Sequence, residues 1–163
     1  MRPHEVFASM PSEHTTAFFT TLAQDCPGLF TQAVQAASIA TKSRPQYLLR
    51  QPLDKRAAAL RRVLARVASG PMAEEILATY FVDCRKEVLV AWLDRVGLEH
   101  EEGILKEESP ESPAEAKLAE HVKAFLAEKD DPDRGLLLSA FGAQSAIDWP
   151  TLDALAQAEK NPA

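Results

Sequence analysis

At 163 residues, with 46% hydrophobic and 26% charged side chains, the chain has the size and composition of one globular domain that buries a core without metal or disulfide staples. Aromatic residues make up only 7% and glycines number six, while Ala, Leu and Glu abound, which favours helix over sheet. The longest unbroken apolar run, Val88 to Leu93, is far short of the roughly twenty residues of a bilayer crossing, and the N-terminus carries no apolar core of signal-peptide length, so no membrane anchor is expected.

In chain order, Ser12 reads as the N-cap of a helix through "EHTTAFFTTLAQD", whose Phe18, Phe19 and Leu22 face a core. A second helix covers "LFTQAVQAASIATK", with Leu29, Ala33, Ala36, Ala37 and Ala40 on one side. A short helical turn fits between Pro45 and Pro52, since each proline discourages helix in the residue before it. From residue 53, Leu53, Ala57, Leu60, Leu64 and Val67 recur at helical spacing as a core-facing stripe, and Gly70 supplies a stop. Pro71 then opens a long helix that ends at Gly97. Its two apolar faces (Leu77, Tyr80, Phe81, Cys84, Val88, Ala91 and Trp92; Val82, Leu89, Leu93 and Val96) place it at the centre of the molecule.

The stretch "RVGLEHEEGILKEESPESP" follows. Leu98–His100 and 104–106 can pair as a minimal hairpin around Glu101-Glu102-Gly103, with an acidic linker behind it. Ser112-Pro113-Ala114-Glu115 reads as a capping box for a helix facing inward with Leu118, Val122, Phe125 and Leu126. Asp131-Pro132 and Asp148 before Trp149-Pro150 signal two further starts, and Asn161-Pro162-Ala163 should fray. The expectation is therefore all-α: a bundle of about six to eight helices, a long, mostly buried central helix near residues 71–96, and a minimal hairpin at 98–106. One domain, 1–163, accommodates this, with a subdivision near 97–113 into a basic and an acidic half.

Charge supports that subdivision. The net charge is −6, yet residues 1–70 hold nine Lys/Arg against four Asp/Glu, a net of +5, and residues from Gly97 onward hold six against fifteen, a net of −9. Within the basic half, Lys55, Arg62 and Arg66 share one helix face, and Arg56 and Arg61 flank the apolar stripe. Such a face attracts phosphate backbones through counterion release. No phosphate loop, zinc-finger spacing or aromatic RNA-binding pattern accompanies it, and an overall acidic chain works against long-range attraction to nucleic acid. A solvated or internally paired face is the plainer reading.

Catalytic signatures are thin. Asp83, Glu87 and Asp94 line one edge of the expected central helix, but no Glu-x-x-His occurs to complete a di-metal site. His100 among glutamates and His121 beside Leu118 and Val122 complete a polar cluster of low standing: Asp83, Glu87, His100 and His121. No G-x-S-x-G motif occurs, neither Cys26 nor Cys84 has a local histidine, and Cys84 is expected to be buried and inert. No catalytic residue, metal or cofactor is assigned. The function expected is that of a non-enzymatic cytoplasmic protein acting through protein–protein contact, as an adaptor, regulator or complex subunit with another protein or a second copy as partner. Nucleic-acid binding through helix 53–68 and a small-molecule or metal pocket beside the central helix are the alternatives.

Overall fold

The computed structural model describes residues 1–161, and its described residues form ten α-helices and one two-stranded hairpin. The fold is all-α, as the composition requires. The fraying expected at the C-terminus falls at Pro162 and Ala163, outside the described residues. Two compact units divide the chain between Cys84 and Arg85.

The N-terminal unit holds α1 (Pro3–Ser9), α2 (Ser12–Asp25), α3 (Pro27–Thr41), α4 (Pro45–Arg50), α5 (Leu53–Leu64), a 3-10 turn (Val67–Ser69), α6 (Gly70–Thr79) and a π-helical turn (Tyr80–Cys84). Its core is an aromatic cluster. Phe18 lies 4.1 Å from Tyr80 and 5.6 Å from Phe7 between ring centroids, and Phe19 and Phe81 extend the group edge-on. Around it pack Leu22, Leu60, Leu64, Ile76 and Leu77, all buried. The helix α1 has no counterpart in the periodicity, since seven residues span only two turns. Its start is chemically defined all the same: Pro3 occupies the first turn, and the Glu5 carboxylate accepts the Arg2 backbone N–H at 2.7 Å. That bond, more than the nearby charges, holds the Glu5 carboxyl below its ordinary value.

Several boundaries differ from the expected ones. Ser12 is the first helical residue of α2, and Pro11 occupies the cap. Gly70 opens α6 in a right-handed helical conformation instead of closing α5, which stops at Leu64. The stripe of α5 is therefore shorter than its pattern: Ala57, Leu60, Val63 and Leu64 are buried, while its two ends, Leu53 and Val67, are exposed.

The expected central helix is not continuous. α6 passes into the π-helical turn, Arg85 leaves the helix at φ −133° and ψ 46°, and α7 (Lys86–Arg95) begins afresh. A guanidinium anchored elsewhere accounts for the break. Arg85 donates to Asp131 at 2.6 Å, to Asp133 at 2.5 Å and to Glu87 at 2.8 Å, which fixes its backbone outside the helical ladder. Each piece buries its own side: Ala73, Ile76, Leu77, Tyr80 and Phe81 before the break, and Val88, Leu89, Trp92 and Leu93 in α7.

The C-terminal unit consists of α7, β1 (His100–Glu101), β2 (Ile104–Leu105), α8 (Glu115–Glu128), α9 (Pro132–Ala143) and α10 (Pro150–Lys160). Its fully buried element is α9, in which Asp133 through Phe141 are all shielded. The run "GLLLSAF" is apolar all round, the pattern of a helix covered on every side. Trp92, Phe125, Phe141 and Trp149 form the aromatic core, with centroids 5.1 to 6.2 Å apart. Asp131 caps α9 as expected, accepting the Asp133 N–H at 3.0 Å. The capping box at Ser112 does not form: α8 starts at Glu115 behind Ala114, and the Ser112 hydroxyl donates to the Pro113 carbonyl instead. Arg95 and Arg134 both donate to one oxygen of Glu128 at 3.0 Å.

Those bonds, from Arg134 first and Arg95 second, hold the Glu128 carboxyl below its ordinary value. A carboxylate so lowered adds stability above its unfolded pKa and loses it as pH falls through the folded one. Glu128→Gln should therefore flatten the acid limb of the stability curve, read by thermal melts between about pH 6 and pH 3.

Candidate functional site

In the connector at residues 97–113, the glycines and His100 have defined partners. Gly97 ends α7 at φ +75°; the Leu98 N–H bonds the Leu93 carbonyl at 3.0 Å and the Gly97 N–H bonds Asp94 at 3.2 Å, a Schellman closure. The hairpin pairs His100 with Leu105 and Glu101 with Ile104 across a two-residue turn, Glu102-Gly103, both at positive φ. The Gly103 N–H donates to His100 Nδ1 at 3.1 Å, so the imidazole proton sits on Nε2 and is donated to Asp94 at 2.7 Å. His100 is a brace for the turn, with both ring nitrogens used. Gly103 packs against Leu89, and a Cβ there would meet Leu89 Cδ2 at 2.9 Å while holding φ +88°. Gly103→Ala should cost about 2 kcal/mol through backbone strain and that overlap, measured by urea unfolding.

The rest of the low-standing polar cluster has separate attachments. Glu87 bonds Arg85, Asp83 lies 4.0 Å from the Cys26 sulfur, and His121 is half-buried on α8. Among the described residues, no group of three or more His, Cys, Asp or Glu is placed to hold a metal ion.

The basic helix separates into two sets. Arg61 donates to the Met10 carbonyl at 2.6 Å and so ties α5 to the corner between α1 and α2. Arg56 donates to the Leu49 carbonyl at 3.1 Å and lies over the Phe30 ring at 5.8 Å, fastening α5 to α4 and α3. These two are structural. Lys55, Arg62 and Arg66 are exposed, as are Lys42, Arg44 and Arg50 upstream, and none of the six enters an ion pair among the described residues. A shallow hollow of about 220 Å³ lies between α2 and α5, lined by Ser12, Thr15, Thr16, Asp54, Lys55 and Arg61. It is smaller than the roughly 300 Å³ at which small-molecule sites begin.

What the periodicity missed is apolar. Ile39 is 80% exposed, Tyr47 61%, Leu53 52% and Leu49 45%, all within fifteen residues at the end of α3, along α4 and at the start of α5. The same stretch carries Lys42, Arg44 and Arg50, and residues 26–53 contain no Asp or Glu at all. The signal was present in sequence as the two flanking prolines: a six-residue helix can turn only one side inward, and Leu48 takes it, so its neighbours Tyr47 and Leu49 face water. Val67, 69% exposed, sits beside Arg66 at the far end of α5.

Backbone strain marks the same place. Lys42 adopts a left-handed conformation, φ 54° and ψ 34°, at the end of α3, where glycine is the unstrained choice. Lys42→Gly should stabilise the chain by about 1 kcal/mol in a denaturant titration.

No family model matches the chain, and no curated protein or solved structure matches it.

Proposed function

We propose that the protein is an interaction module whose contact surface runs from Ile39 through Leu53, and that its partner is an acidic segment carrying apolar side chains. The observation that carries this reading is the coincidence of four large exposed hydrophobic side chains with three exposed cations and no carboxylate in one stretch. Scattered exposed leucines need no explanation, but four large apolar side chains exposed within fifteen residues among cations of one sign do. Tyr and Arg are the side chains that dominate protein interfaces, and Tyr47, Arg44 and Arg50 sit together here.

A nucleic-acid partner is the weaker reading. Phosphate neutralisation uses the cations alone and leaves Ile39, Leu49 and Leu53 in water, and of the four only Tyr47 offers a ring for a base to stack on. A cytoplasmic setting belongs to the proposal, in keeping with Cys26 and Cys84 standing as thiols.

The test uses three probes on the full chain: a synthetic Glu/Leu amphipathic peptide, a single-stranded oligonucleotide, and phosphatidylserine vesicles. Tightest binding to the peptide, weakened both by salt and by loss of Tyr47, is the expected result. Preference for the oligonucleotide or the vesicle, or indifference to all three, would sink it.

A further inference from the structure

Cys26 and Cys84 stand 58 positions apart in sequence, yet their sulfurs lie 3.4 Å from each other. Cys26 occupies the non-helical joint between α2 and α3, at φ −132° and ψ 63°, and Cys84 closes the π-helical turn. Both are half-buried thiols, where the sequence pattern had Cys84 buried on a core face. A disulfide needs its sulfurs at about 2.05 Å, so closure asks for roughly 1.4 Å of movement shared by two side chains at helix ends. Helix ends and π-helical turns yield more readily than the middle of a regular helix.

We infer that Cys26 and Cys84 form a reversible dithiol–disulfide site, oxidised by hydrogen peroxide and reduced by dithiols, which locks the N-terminal unit at the residue where it ends. The Cys26 sulfur attacks one peroxide oxygen. The O–O bond breaks, hydroxide departs and takes up the thiol's proton as water, and Cys26 becomes a sulfenic acid. The Cys84 sulfur then attacks the Cys26 sulfur, its proton joins the departing hydroxyl, and a second water leaves. Two thiols and one peroxide have become a disulfide and two waters, two electrons passing from sulfur to oxygen. A dithiol returns both electrons by exchange.

The surroundings assign the order of attack. The Cys84 thiol is pushed up to about 12 by burial first, then by Cys26 and by the charges of Asp25 and Asp83. It keeps its proton near neutrality, a poor start for attack on peroxide, and Cys84 is assigned the resolving step.

The experiment treats the full chain with hydrogen peroxide and reads intact mass, a non-reduced peptide map and thermal melting. A mass lower by about 2 Da, a cross-linked pair of peptides carrying Cys26 and Cys84, and reversal by dithiothreitol are expected. Closing a loop of this length should raise the melting temperature by on the order of 10 °C. Cys84→Ser should abolish the mass loss and leave Cys26 to gain about 16 or 32 Da. Oxygen mapped to Cys26 or Cys84 of the unmutated chain, a disulfide-linked dimer, no cross-linked peptide pair, or an internal link that leaves melting unaltered would each overturn the proposal.

Discussion

Replacing Arg85 by methionine is expected to destabilise the C-terminal unit by about 3 kcal/mol. The guanidinium serves three carboxylates of unequal importance. Glu87 is largely exposed, and its pair with Arg85 is worth a few tenths of a kcal/mol at most. Asp133 has a side chain only 6% exposed, and Asp131 doubles as the cap of α9, so both depend on a fixed cation. Burial works against the Arg85 charge, but the bonds to Glu87 and Asp131 and the fields of Asp133 and Asp131 outweigh it and hold its pKa above the ordinary value. Methionine keeps the stem and removes the charge, taking from Asp131 and the shielded Asp133 the bonds at 2.6 and 2.5 Å that Arg85 donates. The loss is placed at the low end of the range for broken buried pairs because Arg85 itself is about a quarter exposed.

The readout is specific. Both tryptophans, Trp92 and Trp149, belong to the C-terminal unit, and both tyrosines, Tyr47 and Tyr80, to the N-terminal one. The urea transition followed by tryptophan fluorescence should move in Arg85→Met. Adding Asp133→Asn should recover 1 kcal/mol or so, since the double variant no longer strands a charge. Arg85→Lys should behave closer to methionine than to arginine, because one ammonium cannot bridge two carboxylates in a fork. A transition unmoved by Arg85→Met would mean that Asp131 and Asp133 are satisfied without it.

The same residue shows where sequence reasoning reached its limit. Helical periodicity across residues 71–96 is genuine on both sides of the break, so pattern alone joins α6 to α7. What separates them is a long-range bond from Arg85 to carboxylates more than forty positions on, and no local pattern encodes that. Caps were legible where a side chain performs them, as at Asp131, and illegible at Ser112, whose hydroxyl found a nearer acceptor. Gly97 and Gly103 were legible because a positive φ leaves few alternatives. The all-α class and the minimal hairpin followed from such local rules, which depend on no distant contact. The candidate surface was half legible: its cations stood out by composition, but Leu53 read as part of a core stripe and Ile39 and Leu49 belonged to no pattern until their neighbours were placed. The proximity of Cys26 and Cys84 left no trace in sequence, since they stand 58 positions apart with several helices between them.

The other large effect is expected at that surface. Tyr47→Ser with Leu49→Ser should weaken binding of the acidic amphipathic peptide by about a hundredfold or more. Each side chain removes on the order of 100 Å² of apolar area from a desolvated contact, about 2 kcal/mol apiece before losses to imperfect packing. Stability should barely move, because both side chains are exposed in the free protein and neither is among its core residues. Arg44→Glu with Arg50→Glu should act differently: association slows, the loss is several-fold to tenfold at low salt, and it shrinks as salt rises. An apolar anchor shows the opposite profile, with faster dissociation and an effect that salt leaves in place. Comparing the two double variants at two salt concentrations therefore separates a contact held by burial from one held by charge. If the arginine pair accounts for nearly all of the affinity and the apolar pair for none, the surface is a polyanion site and the nucleic-acid reading takes over.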